Sequence, residues 1–305
     1  MRIAVLDIGT NTVLMLMAES RPDSQPIIFR DEHSIARLGE GVDKTKRISE
    51  EAYNRFAEIF KRYKELINTN AIDRVTAFAT SAMRDAENRQ DIISRVKTDF
   101  SIDIELLSGD DEAQWSFRGA LYGLMNEQLR GTIATIDIGG GSTEISIGND
   151  GIFYSGTSMD IGAVRIKERF LSSNTADNVI KARTYIRTQL EQATNSLPTP
   201  SSLIAVAGTP TSLAAMKHQL DEFDISIVDG TILQIDELAI LIDEMFSITT
   251  TELISRYPAI SPARADILPA GSLILYEAMF QMSLDRVTVS TKGLRYGILL
   301  RELGQ

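Results

Sequence analysis

A ten-residue segment occurs twice in this 305-residue chain, and the two copies are separated by a constant offset of 130 residues. Residues 3–12 read IAVLDIGTNT and residues 133–142 read IATIDIGGGS, so that five of the ten aligned pairs are identical. In each copy an apolar, β-branched run leads into a glycine turn, and a second strand is expected directly afterwards, at Val13 and at Thr143 or Glu144. The motif is therefore predicted to be strand, tight turn, strand, in two copies.

This duplication indicates two domains, residues 1–129 and 130–305, that face each other across a cleft. Short apolar runs alternate with segments of helical periodicity along the chain, which is typical of an α/β fold. The clearest helix is expected from an N-cap at Ser49 to about Ile67, with aromatic residues spaced three and four apart on a core face. Strands are expected at Arg2–Asp7, Val13–Ala18, Arg74–Ala79, Ile102–Leu107, Thr132–Asp137, Glu144–Gly148, Ile152–Ser158, Ser202–Ala207 and Arg286–Ser290.

Charge and composition exclude several classes of function. The chain has 31 basic and 42 acidic residues, a formal net charge of −11, and a non-specific nucleic-acid binder needs a basic face instead. It contains no cysteine and two histidines, His33 and His218, so thiolate, zinc and Ser-His-Asp chemistry have almost no material. Both histidines are interpreted as surface or packing residues. Catalysis must rely on carboxylates, hydroxyls, backbone amides, arginines or an oxygen-bound metal.

The N-terminal apolar run is interrupted by Asp7 before it reaches the length of a signal-peptide core. No segment reaches about 18 uninterrupted apolar residues, the length needed to span a membrane. We therefore expect a cytoplasmic protein that contacts neither a membrane nor nucleic acid.

The glycine turns have the chemistry of a phosphate site. A turn of small and hydroxyl residues after a strand presents backbone N–H groups around one concavity, and glycine permits close approach of an anion. A third turn of this kind, residues 208–212, follows an apolar strand and leads into a helix. No Gly-Lys-Ser/Thr sequence occurs, which excludes a P-loop NTPase. Candidate phosphate ligands in the three turns are Thr10, Asn11, Thr12, Gly139, Gly140, Gly141, Ser142, Gly208, Thr209 and Thr211.

Together, the turns at residues 7–12 and 137–144 resemble those of the exopolyphosphatase/guanosine pentaphosphate phosphohydrolase family, within the actin-like ATPase superfamily. The resemblance covers nearly the whole chain and implies two actin-like (ribonuclease H-like) domains, with the last helix packing back toward the first. Supporting segments, in family order, are ATSAMRDA at 79–86, LSGDDEA at 107–113, GAVR at 162–165, GTPT at 208–211, RAD at 264–266 and KGLR at 292–295.

The resemblance also implies roles for single residues. The family's catalytic carboxylate falls on Glu112, a general base for the attacking water. Ser81 and Arg84 correspond to its phosphate-binding loop, and Asp137 and Glu144 to its Mg²⁺ ligands. The roles of four further residues stay open: Asp7, Asp111, Arg165 and Arg295.

The activity implied is Mg²⁺-dependent release of terminal orthophosphate from inorganic polyphosphate, from guanosine pentaphosphate (pppGpp), or from both. Two alternatives are an actin-like small-molecule kinase and a non-catalytic sensor of polyphosphate or guanosine polyphosphates. The substrate preference and the oligomeric state, monomer or homodimer, stay open.

Two features of the chain lead to further expectations. Longer relatives carry additional helical domains, whereas the resemblance here ends with the actin-like pair, so we expect low processivity and shorter polyphosphates or a nucleotide. Residues 218–255 contain nine acids and no lysine or arginine, and this stretch is expected to face away from the substrate entrance.

Overall fold

The computed structural model describes residues 1–21, 24–124, 130–195 and 197–305. Their strands form two sheets, one of five strands and one of six, with helices packed around them. The predicted α/β organisation is therefore confirmed, while the predicted domain boundary at residue 129 lies outside the described residues. None of the helices in these ranges combines the length and the apolar character that crossing a bilayer requires.

The first sheet and the helices around it are built from residues up to 121. Its strands are β1 (Arg2–Ile8), β2 (Thr12–Arg21), β3 (Ser24–Ile35), β4 (Arg74–Ala79) and β5 (Ile104–Leu106). They pair in the order β3-β2-β1-β4-β5, antiparallel in the β1–β3 meander and parallel from β1 to β5. The helices are α1 (Val42–Thr45), α2 (Glu50–Thr69), α3 (Ser81–Asp85), α4 (Arg89–Phe100) and α5 (Gly109–Leu121).

The second sheet has the order β10-β11-β9-β6-β7-β8. Its strands are β6 (Thr132–Ile138), β7 (Thr143–Asn149), β8 (Ile152–Met159), β9 (Ser202–Val206), β10 (Ile232–Gln234) and β11 (Arg286–Val289). The helices are α6 (Ala163–Phe170), α7 (Ala176–Thr194), α8 (Gly208–Lys217), α9 (Ile225–Val228), α10 (Ile235–Ser247), α11 (Thr250–Arg256), α12 (Pro262–Ala265), α13 (Leu268–Gln281) and α14 (Leu294–Glu302).

Both copies of the sequence repeat form the same hairpin, as predicted. In β1–β2 Asp7 pairs with Leu14, and in β6–β7 Asp137 pairs with Glu144 at the equivalent position. Each turn is closed by one backbone bond from its first glycine, Gly9 N to Thr12 O and Gly139 N to Ser142 O, both 3.0 Å. The central strand of each sheet, β1 or β6, pairs in parallel with β4 or β9 respectively. The carboxyl ends of these strands therefore lie at the cleft.

Helix α2 confirms the predicted N-cap and core face. The Ser49 side chain accepts a hydrogen bond from Ala52 N, and the two acids of the first turn lie at the positive end of the helix dipole. Buried side chains on the inner face pack against the first sheet, and they include Tyr53, Phe56, Phe60, Tyr63 and Ile67. These aromatic residues are core, as the helical spacing indicated.

Two helices each pack against the sheet that the other half of the chain forms. On α14, Leu294 and Ile298 lie in one apolar cluster with Ile3 of the first sheet. On α5, Phe117 packs with Ile204 of the second sheet. Because the two helices also contact each other between the sheets, they form the floor of the cleft.

The strand predictions missed β3 and β10. β3 contains Pro26 near its start, and its second half reads RDEHSI, a composition that argues against a buried strand. It is tolerated because β3 lies at the sheet edge, where charged residues also discourage pairing with other chains. β10 has three residues and lies at the edge of the second sheet.

Candidate active site

A cavity of about 530 Å³ lies between the two sheets, and residues from both halves of the chain line it. All three glycine turns open into it, together with the start of α5 and the loop before α14. The predicted site residues in its wall are Thr10, Asn11, Thr12, Ser81, Glu112, Asp137, Gly139, Gly140, Gly141, Ser142, Gly208 and Thr211. Three other predicted residues, Arg84, Glu144 and Thr209, do not line the cavity.

The first and second turns are in direct contact across the cleft. A Cβ placed on Gly141 would lie 2.5 Å from Ser81 Oγ and 2.8 Å from Thr10 Oγ1. No side chain fits at this position without displacing one of the two hydroxyls. The glycine therefore lets two loops of the first half approach the second turn closely, and this brings their hydroxyls to one side of the cavity.

The third turn holds an arginine that the sequence analysis did not select. The guanidinium of Arg264 lies against Gly208, where a Cβ would come within 2.1 Å of Arg264 Cζ, and its Nη2 is 3.3 Å from Thr12 Oγ1. Burial lowers the pKa of Arg264 to about 10, against the opposing charge of Asp266. A guanidinium bonded to a neutral hydroxyl in the wall of a cavity is suited to bind an anion. The RAD segment at 264–266 was the available signal.

Backbone strain and a buried side chain mark the same turn. Ala207 has φ 76° and ψ −169°, a conformation that normally requires glycine. The next residue but one, Thr209, is fully buried, and its hydroxyl lies where a Cβ on Gly271 of α13 would come within 2.1 Å. The structure therefore places the Thr209 side chain in the core of the second half and not at the cavity.

Glu112 lies in the first turn of α5, which begins at the N-cap Ser108. Its side chain is buried, and Arg84 Nη1 donates to Glu112 Oε2 at 2.5 Å and to Leu107 O at 3.1 Å. Burial raises the pKa of Glu112 to about 7, although the charge and hydrogen bond of Arg84 act in the opposite direction. The neighbouring Asp111 is exposed and accepts a hydrogen bond from Ser108 Oγ at 2.6 Å. Of the two adjacent acids, only Glu112 faces the cavity.

Three further acids surround Glu112. Burial and the charges of Glu112 and Asp137 raise the pKa of Asp7 to about 8. The pKa of Asp137 is raised by burial, although Ser116 Oγ donates to its Oδ2 at 2.5 Å. Burial raises the pKa of Glu144 well above its ordinary value, and the charges of Glu112 and Asp137 make smaller contributions in the same direction. Burial is the largest cause of the raised pKa in all four carboxyl groups, and the charges of neighbouring acids add to it for Glu112, Asp7 and Glu144.

Glu144 is buried behind the second turn. Its Oε1 accepts a hydrogen bond from Ser158 Oγ at 2.6 Å, and its Oε2 is buried without a hydrogen-bond partner. Within the described residues no three His, Cys, Asp or Glu side chains are close enough to hold a metal ion by themselves. A site of one or two carboxylates completed by water and phosphate oxygens is what Mg²⁺ prefers. The unpaired oxygen and the crowded acids fit such a cation.

Arg165 and Arg295, whose roles the sequence left open, both form ion pairs. Arg165 Nε donates to Gly141 O at 2.7 Å, and its terminal nitrogens contact Asp43 and Asp85 of the first half, each at 2.5 Å. Arg295 pairs with both oxygens of Asp31, at 3.0 and 2.9 Å. Arg165 therefore ties the second turn to the first half, and Arg295 ties α14 to β3.

Part of the cavity lining is an apolar wall. It is defined by Leu14, Ile35, Phe223 and Ile225, and the last two are about half exposed. Since Phe223 and Ile225 belong to residues 218–255, the prediction that this acidic stretch faces away from the entrance is wrong for its first part. His33, expected to be a surface or packing residue, also lines the cavity, with Nε2 3.3 Å from Asp31 Oδ1. Sequence patterning offered no signal for this wall.

Comparison with known proteins places this site in a family. A family model described as the Ppx/GppA phosphatase family matches residues 16–305. Exopolyphosphatase 2 of Mycobacterium tuberculosis is 31% identical over 320 residues, which cover 99% of each protein. A bifunctional 3-dehydroquinate synthase/phosphatase of Fusobacterium nucleatum is 32% identical over 312 residues. That match covers 97% of this chain, which spans 46% of the length of that relative.

Solved structures agree with this assignment. A crystal structure of an exopolyphosphatase from Cytophaga hutchinsonii has a TM-score of 0.91 and 29% identity, covering 100% of this chain and 98% of that one. The fold expected from the sequence, two facing actin-like α/β domains, is therefore confirmed. The chain belongs to the Ppx/GppA phosphatase family.

Proposed function

We propose that this protein is a Mg²⁺-dependent phosphoanhydride hydrolase that releases terminal orthophosphate from inorganic polyphosphate. The observation that carries the proposal is the convergence of three glycine turns, Arg264 and Glu112 on one cavity between the two halves. Backbone amides and hydroxyls supply the donors that phosphate oxygens require. The similarity to exopolyphosphatase 2 of M. tuberculosis over the full chain supports the same substrate.

In this proposal Glu112 is the general base. Its pKa of about 7 is close to neutral pH, where a base combines sufficient ionisation with sufficient proton affinity. The carboxylate orients a water molecule for attack on the terminal phosphorus and accepts its proton. Arg84 does not line the cavity, and it supports this role by fixing the carboxylate of Glu112 through its hydrogen bond.

Asp137 and Glu144 would hold the Mg²⁺. When bound, the ion neutralises charge on the phosphoryl group and reduces its repulsion by this acidic protein. The chain's own contribution is to bring the two carboxyl groups to one end of a hairpin, where Asp137 and Glu144 are directly paired. Arg264 and the turn residues bind the remaining phosphate oxygens.

A second candidate substrate is pppGpp, and the apolar wall favours it. Inorganic polyphosphate has no apolar part, whereas a nucleoside base gains from burial against an aromatic and aliphatic surface. Phe223 and Ile225 belong to such a surface in the cavity lining. We therefore propose that the cavity accepts a terminal phosphate on either scaffold, and that the wall contributes only to the nucleotide.

A phosphate-release panel tests both proposals. Short and long polyphosphates, pppGpp, ATP and ADP are compared at fixed Mg²⁺ and salt, with and without candidate phosphate acceptors. We expect release from polyphosphate without an acceptor. Release that depends on an acceptor would favour the kinase, and substrate binding without release over hours would favour the sensor.

The apolar wall is tested separately with Phe223→Ala. This change should raise KM for pppGpp about 10-fold, since base stacking is worth about 1–3 kcal/mol, and leave polyphosphate turnover unchanged. Phe280→Ala is the matched control, because Phe280 is also exposed but does not line the cavity. Equal KM values for pppGpp in the two variants would contradict a nucleotide subsite.

A further inference from the structure

Two serines donate hydrogen bonds to the two acids of the proposed cation site. Ser116 Oγ, on α5, donates to Asp137 Oδ2 at 2.5 Å. Ser158 Oγ, on β8, donates to Glu144 Oε1 at 2.6 Å. Neither serine belongs to a glycine turn, and neither lines the cavity. Each bond fixes one oxygen of a carboxylate and leaves the other oxygen for a different partner.

The hydrogen-bond donors to Asp137 and Glu144 differ in charge from the donors to other acids of the cleft. Glu112 is paired with Arg84, and Asp31 with Arg295. Within the described residues, no lysine or arginine forms an ion pair with Asp137 or Glu144, whose side-chain donors are neutral hydroxyls. A hydroxyl stabilises the ionised carboxylate and fixes its rotamer without placing a positive charge beside it. The hydrogen bonds to these two acids therefore bring no positive charge with them, although the charge of Arg295 still acts on Asp137.

Helix α5 organises both contacts. Ser116 follows Glu112 by four residues, so that both side chains project from the same face of the helix, toward the cavity side. At the start of α5, a Cβ on Gly109 would lie 2.7 Å from Ser158 Cβ, and the missing side chain lets β8 bring Ser158 close. The helix that carries the proposed base thus also sets the position of both serines.

The carboxylate oxygen of Glu144 that Ser158 does not contact has an unusual environment. Glu144 Oε2 is buried and lacks a hydrogen-bond partner. An unpaired carboxylate oxygen in such a place is costly unless another group satisfies it. A divalent cation is the group that fits. Asp137 is paired with Glu144 across the hairpin, and its carboxylate adds a second negative charge beside this oxygen.

We propose that Ser116 and Ser158 are positioning residues of the divalent-cation site, which orient Asp137 and Glu144 so that one oxygen of each faces the ion. This inference rests on the proposed function. Hydroxyls and other outer partners of metal ligands typically affect metal affinity about 10- to 100-fold. The serines would therefore act on cation affinity and not on the chemistry of phosphate transfer.

The experiment measures Mn²⁺ binding by electron paramagnetic resonance, with the metal alone and the full chain. Ser116→Ala and Ser158→Ala should each weaken Mn²⁺ binding about 10- to 100-fold. Ser146→Ala is the matched control, because Ser146 is a buried serine whose Oγ bonds Ala113 O of α5 at 2.9 Å and touches neither acid. It should remain within about 2-fold of the wild type. Thermal unfolding of each variant reports whether it is folded.

A kinetic readout separates positioning from general damage. In both test variants the Mg²⁺ concentration for half-maximal phosphate release should rise, while kcat at saturating Mg²⁺ should return close to the wild-type value. Unchanged Mn²⁺ affinity in both variants, or an equal loss in Ser146→Ala, overturns the inference and leaves the proposed hydrolase intact. Absence of Mn²⁺ binding by the wild type overturns the cation site itself and this inference with it. If Ser116→Ala does not fold, Ser158→Ala alone decides.

Discussion

The two copies of the repeated turn have the same backbone pairing, but one carries polar side chains where the other has glycines. Both hairpins have the same register and the same closing hydrogen bond. The first turn carries Thr10 and Asn11 where the second carries Gly140 and Gly141. Because Gly141 has no side chain, Thr10 and Ser81 can approach it. Duplication has therefore produced two complementary surfaces. The side chains of the first turn fill the space between the turns, and the glycines of the second turn leave that space empty.

The acids of the two copies differ in the same way. Asp7 and Asp137 end equivalent strands, but Asp7 pairs with Leu14 across its hairpin, and Asp137 pairs with Glu144. Asp137 and Glu144 each accept a hydrogen bond from a serine, and the charge of Arg295 opposes the raised pKa of both Asp7 and Asp137. In the proposed function, the second copy supplies the two carboxyl groups for the cation, and the first supplies hydroxyl donors for phosphate and a single acid.

The largest effect is expected where both copies meet, at Glu112, whose charge raises the pKa of Asp7 and of Glu144. Glu112→Gln keeps the shape but cannot accept a proton, so phosphate release should fall about 10²- to 10⁴-fold. Asp111→Asn is the control, because that side chain bonds Ser108. It should retain activity within about 3-fold in the same assay. Turnover of Glu112→Gln near the wild-type value would remove Glu112 from the mechanism.

The same substitution in both copies tests their division of roles directly. Asp137→Asn should lower phosphate release about 100-fold and raise the Mg²⁺ requirement, since it removes one of two carboxylates for the ion. Asp7→Asn should lower release only about 10-fold and leave the Mg²⁺ requirement unchanged. Steady-state kinetics over a Mg²⁺ series measures both quantities. Equal shifts in the Mg²⁺ requirement would show that the two acids share the ion.

The sequence predicted both hairpins, and 12 of its 15 candidate site residues line the cavity, because the signals of the glycine turns are local. A strand that ends in Asp-Ile-Gly needs no distant residue to define its turn, and Ser49 caps α2 through a residue three positions away. The pairing of α5 and α14 with the opposite sheets is different. It depends on apolar helix faces, such as those around Phe117 and Leu294. The local sequence of such a face does not indicate which of the two sheets it packs against.

The missed parts of the site are long-range in the same sense. Arg264 reaches the cavity from a short helix far along the chain, and it is defined by its contacts with Gly208 and Thr12. Phe223 lies in an acidic stretch whose charges indicated exposure, but one aromatic side chain there turns to the cleft. Phe223 has no periodic or spaced pattern that identifies it from the sequence, and the signal for Arg264 was the RAD segment of the family resemblance.

A smaller effect is expected from the contact between the turns. Gly141→Ala would place a methyl group 2.5 Å from Ser81 Oγ, and overpacking of this kind costs about 1–3 kcal/mol. Displacement of the phosphate loops should also raise KM about 10-fold. Asn11→Ala, at the equivalent position of the first copy, removes an amide nitrogen that has no hydrogen-bond partner, and should change stability by less than about 1 kcal/mol. Thermal unfolding distinguishes them, and equal losses would mean that the turns are not complementary.

The acid of the first copy should also affect the pH dependence of stability, an effect on folding and not on turnover. The pKa of Asp7 rises from 3.8 to about 8 in the folded chain, which therefore keeps a proton that the unfolded chain releases above about pH 4. Stability from this group is complete below about pH 4 and is lost as the pH rises toward 8. Asp7→Asn has no proton to lose, so it should match the wild type near pH 4 and exceed its free energy of unfolding by about 5 kcal/mol at pH 8. Denaturant unfolding without metal across this range measures the difference. Added Mg²⁺ should stabilise the wild type at pH 8 but not Asp137→Asn, because the ion is assigned to the second copy; an equal response in both would assign it elsewhere.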